Sequence, residues 1–293
     1  MALLEYALVG GVLYGIFYSL VAVGLNLVFG VMRMINLAHG EFIMLGGFGA
    51  YVVYQDLNIN PALGVPLAIV GAAAIGYPLY HAVVPRLQRS RDPEMFSFIL
   101  FFGLAQMIEA IAILVFGADQ RSLPGDAFGA GSIGVLGQAF PDSWWVAAGV
   151  SVVCILGLYL YLTHTKLGFA TRAIMTNREE ALATGIDVDR VSTIALIIGL
   201  ALAGVGGVFV PYMLGSIDPS IGTGLTTSSF AIIIIGSLGR PLGTVVGGLV
   251  FGLGSMLMQT YLSSWSNLVP YALLVIIVLV RPSGLFGRTV RQA

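Results

Sequence analysis

The chain has 293 residues, of which 58% are hydrophobic and 9% charged; with a mean hydropathy of +0.96 and 39 glycines it is too apolar for a soluble domain of its size. A net charge of −1 offers no basic surface to neutralise phosphates, which excludes nucleic acid as a general partner. The single cysteine, Cys154, lies in an apolar run, which excludes an internal disulfide and a multi-cysteine metal site.

A window of about 19 residues, matched to a hydrocarbon core of roughly 30 Å, finds a series of apolar segments divided by short polar breaks. The amino-terminal stretch MALLEYALVGG lacks the basic start and small-residue cleavage site of a secretory signal, so the first segment, 6–29, reads as a retained span. It carries Asn26 deep in its length. The stretch INLAHGEF follows, with Asn36, His39 and Glu41 crowded ahead of a short segment, 41–54. Segments 62–84 and 95–116 come next, the latter carrying Gln106 and Glu109 one helical turn apart and so on one face. A loop over 117–143 holds Asp119, Asp126 and Asp142 among glycine and proline turns and precedes segment 144–162.

The polar stretch 163–192 divides into two short helices. The first is amphipathic, with Phe169, Ala173 and Ile174 on one side and Arg172 on another. In the second, Asn177 is a good N-cap, Glu180 stands where a capping box places its acid, and Gly185 is a natural stop. This second helix is expected to expose Ala181, Leu182 and Ala183, apolar residues suited to insertion into a groove on another protein or to lying on lipid headgroups. Segments 191–214, 225–238, 242–262 and 268–280 complete the chain, with Ser228 and Ser229 near the start of the second of these. Nine segments result; 41–54, 225–238 and 268–280 are short enough to be re-entrant, so eight to ten is the expected number of crossing or re-entrant helices. The fold class is therefore an all-α polytopic membrane bundle forming a single domain over residues 1–293.

Basic residues orient it. With the amino terminus outside and the carboxy terminus cytoplasmic, 12 of the 13 lysines and arginines fall in inner loops, including Arg288 and Arg291, and Arg121 alone falls outside. The three tryptophans, Trp144, Trp145 and Trp265, then sit at the outer interface, and INLAHGEF sits at the cytoplasmic end of the first span, where Asn36 can cap the next segment. The glycine spacings GVLYG, GTVVG and GLVFG read as close helix packing. Two glycine-rich turns, FGVMRMINLAHGE and IGSLGRPLGTVVG, look like members of an internal repeat, yet the charge count places both inside, which an inverted repeat does not allow.

Enzyme signatures are missing from the sequence. It has neither H-E-x-x-H nor G-x-S-x-G, and the only lysine, Lys166, lies in LTHTKLG rather than in a phosphate-binding loop. No catalytic, cofactor-binding or metal-binding residue is expected. Within the spans, Asn26, Asn36, His39, Glu41, Gln106, Glu109, Ser228 and Ser229 are the candidates for a solute path or gate; interhelical hydrogen bonding is the competing role for each.

EEALATGI, over residues 179–186, resembles the EAA loop of permease subunits of ABC importers, with Glu180, Ala181 and Gly185 on the matching positions. GLNLVFGVMRMINLAHGEFIMLGGFGAYV, IIIIGSLGRPLGTVVGGLVFG and RPSGLFG resemble signatures of LivH-type permeases of branched-chain amino acids, amides and urea. That resemblance implies a permease in the bacterial inner membrane that couples to two cytoplasmic ATPases through Glu179, Glu180, Ala181, Leu182 and Gly185. It also implies a second permease, either a LivM-type chain or another copy, and a periplasmic binding protein that delivers a small solute. ATP would be used by the partner subunits and not by this chain. The competing readings are a secondary transporter or channel relaying protons through His39, Glu41 and Glu109, and a scaffold with no path.

Overall fold

The computed structural model describes residues 2–129 and 131–287, and of Asp126 only the backbone; Arg288 and Arg291 lie outside the described residues. Every apolar segment is helical. In chain order the helices are α1 (Ala2–Met32), α2 (His39–Gln55), α3 (Gly64–Gln88), α4 (Pro93–Phe116), α5 (Asp142–His164), α6 (Lys166–Thr176), α7 (Arg178–Ala183), α8 (Val188–Met213), α9 (Ile221–Gly236), α10 (Pro241–Tyr261) and α11 (Val269–Val280). Among the described residues, seven helical stretches are long and apolar enough to cross a membrane, while α2, with 17 residues, and α9, with 16, fall short. The loop before α5 holds a hairpin that the sequence reading leaves out, β1 (Ser132–Val135) against β2 (Gln138–Pro141).

Glycine lets the central helices approach. Gly11 and Gly15 of α1 meet Gly248 and Gly252 of α10, so the GVLYG and GLVFG spacings face each other; a Cβ on Gly252 would run into the Gly15 backbone. Gly24 of α1 meets Gly199 of α8, and Gly46 of α2 meets Gly204 of α8. The antiparallel α1 and α8 form the centre, α5 leans on this pair, and α2 and α9 lean on it and on each other.

Depth within the bundle follows from these pairings. The Tyr14 hydroxyl donates to the Met213 carbonyl at one end of α8, and α1 ends at Met32 at the other. From Tyr14 to Met32 is about 27 Å at 1.5 Å per residue, close to a hydrocarbon thickness of roughly 30 Å. Val21 lies near the middle of that length, packed beside Gly206 of α8. His39, the first residue of α2, bonds the Val21 carbonyl through Nε2 at 2.8 Å. The chain leaving α1 therefore turns back at Arg33, whose φ is +54°, climbs without helical structure and starts α2 at mid-depth.

INLAHGEF is thus not at the end of the first span. Its position among short-range loop residues is what misleads a charge-based reading: Arg33 marks the membrane edge, but the five residues between it and α2 lead inward. The same construction recurs with opposite direction after α8, where residues 214–220 carry the chain back to α9. The sequence carries the repeat in Ile35-Asn36-x-x-x-Gly40 and Ile217-Asp218-x-x-x-Gly222. In each copy the Asx side chain accepts from the backbone N–H two residues on, Ala38 N to Asn36 Oδ1 at 3.1 Å and Ser220 N to Asp218 Oδ1 at 3.0 Å, and the half-helix begins one residue later. The repeat is inverted; the earlier pairing of INLAHGEF with the turn at Arg240 joined the wrong segments.

Ten of the basic residues gather on the face that carries α6 and α7, from Arg33, Arg86, Arg89 and Arg91 to Lys166, Arg172, Arg178, Arg190, Arg240 and Arg281, while Arg121 stands at the other face, paired through its backbone with Ile217. Trp144 lies at the end of the bundle opposite Arg33, beside Tyr14 and Tyr212, but it is covered by protein there: its Nε1 donates to the Tyr212 carbonyl at 3.1 Å and its ring packs on Tyr14. Trp265 is exposed.

Candidate functional site

The amino termini of α2 and α9 meet at mid-depth. Gly40 donates its N–H to Thr226 Oγ1 at 2.8 Å, and the same hydroxyl donates to the Leu37 carbonyl at 3.2 Å. A Cβ on Gly40 would overlap the Gly222 carbonyl, and one on Gly222 would overlap the Glu41 carboxylate, so both glycines are required by the closeness of the two helix ends. Helix amino termini present unpaired N–H groups and a positive partial charge. A pair of them facing each other in the bilayer is a polar centre that only half-helices supply.

Three buried side chains of INLAHGEF collect there with unused hydrogen-bonding capacity. Asn36 and His39 are fully buried and Glu41 is 1% exposed. Asn36 Nδ2, His39 Nδ1 and both Glu41 carboxylate oxygens have no hydrogen-bond partner among the described residues. Asn36 does not cap α2, whose N-cap is Ala38; its Oδ1 makes the Asx turn instead. Glu109 of α4 lies within electrostatic reach of Glu41 and is half-buried, whereas Gln106 is exposed. Thr223, in the first turn of α9, is exposed beside this junction. Sequence reasoning missed Thr223 and Thr226, and the signal that finds them is the internal repeat, which sets Thr223 opposite Glu41.

The other candidates belong to the scaffold. Asn26 spends its whole amide on the turn between α9 and α10: Nδ2 donates to the Ser237 and Arg240 carbonyls at 3.1 Å and to Thr244 Oγ1 at 2.5 Å, and Oδ1 accepts from Gly239 N at 2.6 Å. Replacing Asn26 with alanine strands buried polar groups of that turn, so thermal unfolding in detergent should show a loss of about 1–3 kcal/mol. Ser228 is buried, and Ser229 returns its hydroxyl to the Leu225 carbonyl of its own helix at 2.8 Å. Neither reaches the junction between α2 and α9.

At the far end, α6 and α7 form as the sequence predicts. Asn177 caps α7, accepting from Glu179 N and Glu180 N, and Gly185 follows with φ +82°. Glu180 bonds the Asn177 side chain at 2.7 Å rather than its backbone N–H, so the capping box is modified. Of the three α7 residues expected to be exposed, Leu182 and Ala183 are and Ala181 is not, and on α6 Phe169 and Ile174 do not share one covered side. Ala181 is buried, because its side of α7 turns toward the bundle, and Phe169 is exposed under the Arg172 guanidinium while Gly168, Thr171 and Ile174 pack inward. Glu179, Glu180, Gly185 and above all Leu182, at 53% exposure, form the outward surface of α7.

Residues 7–278 match the family described as "Branched-chain amino acid transport system / permease component". The high-affinity branched-chain amino acid transport system permease protein LivH of Escherichia coli (strain K12) is 29% identical over 290 residues, covering 95% of this chain and 94% of that protein. The ribose import permease protein RbsC of the same organism is 24% identical over 270 residues, covering 89% of this chain and 81% of that protein. Among solved structures, PsaBC from Streptococcus pneumoniae in complex with Fab is alike in fold, with a TM-score of 0.53 at 12% identity over 95% of this chain and 93% of that one.

Proposed function

The chain belongs to the family of branched-chain amino acid transport system permease components, and on that premise we propose that it is the inner-membrane permease subunit of an ATP-driven importer of branched-chain or other small amino acids. The family is one of transport permeases and not of enzymes. ATP is hydrolysed by two partner subunits that dock on the α6–α7 face, which is cytoplasmic in this reading because it carries the basic residues. A second permease subunit completes the pathway, and a solute-binding protein delivers from the opposite face.

The observation that carries the reading is the junction of α2 and α9. Its unpartnered Glu41, the facing Glu109 and the exposed Thr223 supply acceptors for an ammonium group, and the two helix ends favour a carboxylate. Glu109 and Thr223 line the path, and Glu41, occluded behind them, belongs to the gate. Uptake of labelled leucine into vesicles holding the chain with its partners tests this, with ribose, urea and a short amide in parallel. Leucine uptake that unlabelled leucine competes away and ribose does not is expected. Urea or amide uptake without leucine uptake replaces the amino acid with a neutral amide as the solute and removes the ammonium and carboxylate roles given to the junction.

A further inference from the structure

Three of the arginines on the α6–α7 face line one cleft of about 1050 Å³: Arg33 at the end of α1, Arg172 on α6 and Arg240 ahead of α10. All three are exposed, and no carboxylate lies among the lining residues. Arg240 donates to the Phe286 carbonyl and Arg172 lies over the Phe169 ring at 4.8 Å, contacts that orient the guanidinium groups without neutralising them. Apart from Thr163 and Thr176, the remaining wall is mainly apolar and runs into the spans, with Tyr159 of α5 on one side and Leu242 and Val246 of α10 on the other. Beyond Tyr159 the outward face of α5 continues as Leu156, Val153 and Val152, all exposed.

We propose that this cleft binds one anionic phospholipid of the adjoining leaflet, its phosphodiester on Arg33, Arg172 and Arg240 and an acyl chain along Tyr159, Leu242 and Val246. The charge pattern selects the ligand: guanidinium forks match phosphate oxygens, and basic pockets between spans attract anionic headgroups. The shape selects lipid over free phosphate, since a small anion covers none of the apolar wall and fills little of the volume. A cytosolic protein reaches the arginines but not the part of the wall within the spans. The site stands whichever solute the chain moves and whatever docks on α7.

The test uses the full chain in nanodiscs of phosphatidylethanolamine with phosphatidylglycerol as a minor component, followed by detergent extraction and native mass spectrometry. One phosphatidylglycerol per chain should survive delipidation. Combining Arg33→Gln, Arg172→Gln and Arg240→Gln should weaken its retention by about a hundredfold, at about fivefold per arginine. Val246→Trp, which leaves the charge and fills the apolar wall, should release the lipid as well, and it keeps the proposal testable if the triple variant fails to fold. Arg86→Gln, Arg89→Gln and Arg91→Gln, outside the cleft, should leave retention unchanged. Retention that survives both Val246→Trp and the triple change overturns the proposal, as does displacement of the lipid by millimolar inorganic phosphate, which assigns the arginines to a free anion.

Discussion

Glu41→Gln should cut solute uptake by about tenfold or more, a change worth about 1.4 kcal/mol or more, without lowering the thermal stability of the protein. A buried carboxyl with no hydrogen-bond partner carries a desolvation cost that packing alone does not offset. The amide is the same size, fits against Gly222 and removes the repulsion by Glu109. If Glu41 were there for the fold, the variant would unfold at a lower temperature; if it serves the gate, stability holds or rises while uptake falls. Uptake and unfolding measured on the same preparation separate the two. Glu41→Ala is the less informative change, because it opens a cavity at the meeting point of α2 and α9.

Leu182→Asp should release the ATPase subunits while the membrane bundle stays folded. Leu182 is 53% exposed on a helix whose buried residue is Ala181, so the substitution leaves the interior packing of α7 untouched. Exposed changes of this kind typically move stability by no more than about 0.5 kcal/mol. An apolar anchor buried in a partner's groove is worth about 2 kcal/mol or more, which corresponds to a roughly thirtyfold loss of assembly. Co-purification of the ATPase with the variant, compared with Ala181→Leu, reads this out. The alanine change should instead destabilise the chain, since it overfills the contact between α7 and the bundle.

Much of the architecture was legible because a bilayer imposes length and apolarity on each crossing. All nine apolar segments are helices, and the α6–α7 pair appears with its Asn177 cap and its Gly185 stop. Depth was less legible. Arg33 announces a membrane edge, but the return of residues 33–38 to mid-depth is fixed by tertiary contacts, Ile35 N on Ser97 Oγ and His39 on the Val21 carbonyl, that lie far apart in sequence. The inverted repeat was present as Ile-Asn-x-x-x-Gly and Ile-Asp-x-x-x-Gly, a pattern too short to stand out until the two glycines are seen in contact.

Polar residues within spans divided by a similar logic. Asn26 looks like Asn36 in sequence, yet one spends its amide on a neighbouring turn and the other keeps Nδ2 unused at the junction. The distinction depends on which helix lies opposite, and hydropathy carries no information about that. Ala181 is covered against expectation, and Phe169 lies apart from the buried Ile174, for the same reason: a short helix has two apolar sides, and the bundle it docks on decides which one is covered.

ATP dependence of solute entry is the measurement that bears most directly on the central claim. In vesicles holding the chain, its partner permease, the ATPase subunits and the binding protein, labelled leucine should enter only when ATP is supplied to the α6–α7 face, and a protonophore should leave the rate unchanged. Uptake that proceeds without the ATPase subunits and collapses with the protonophore would contradict the account and make Glu41, His39 and Glu109 parts of a proton-coupled carrier.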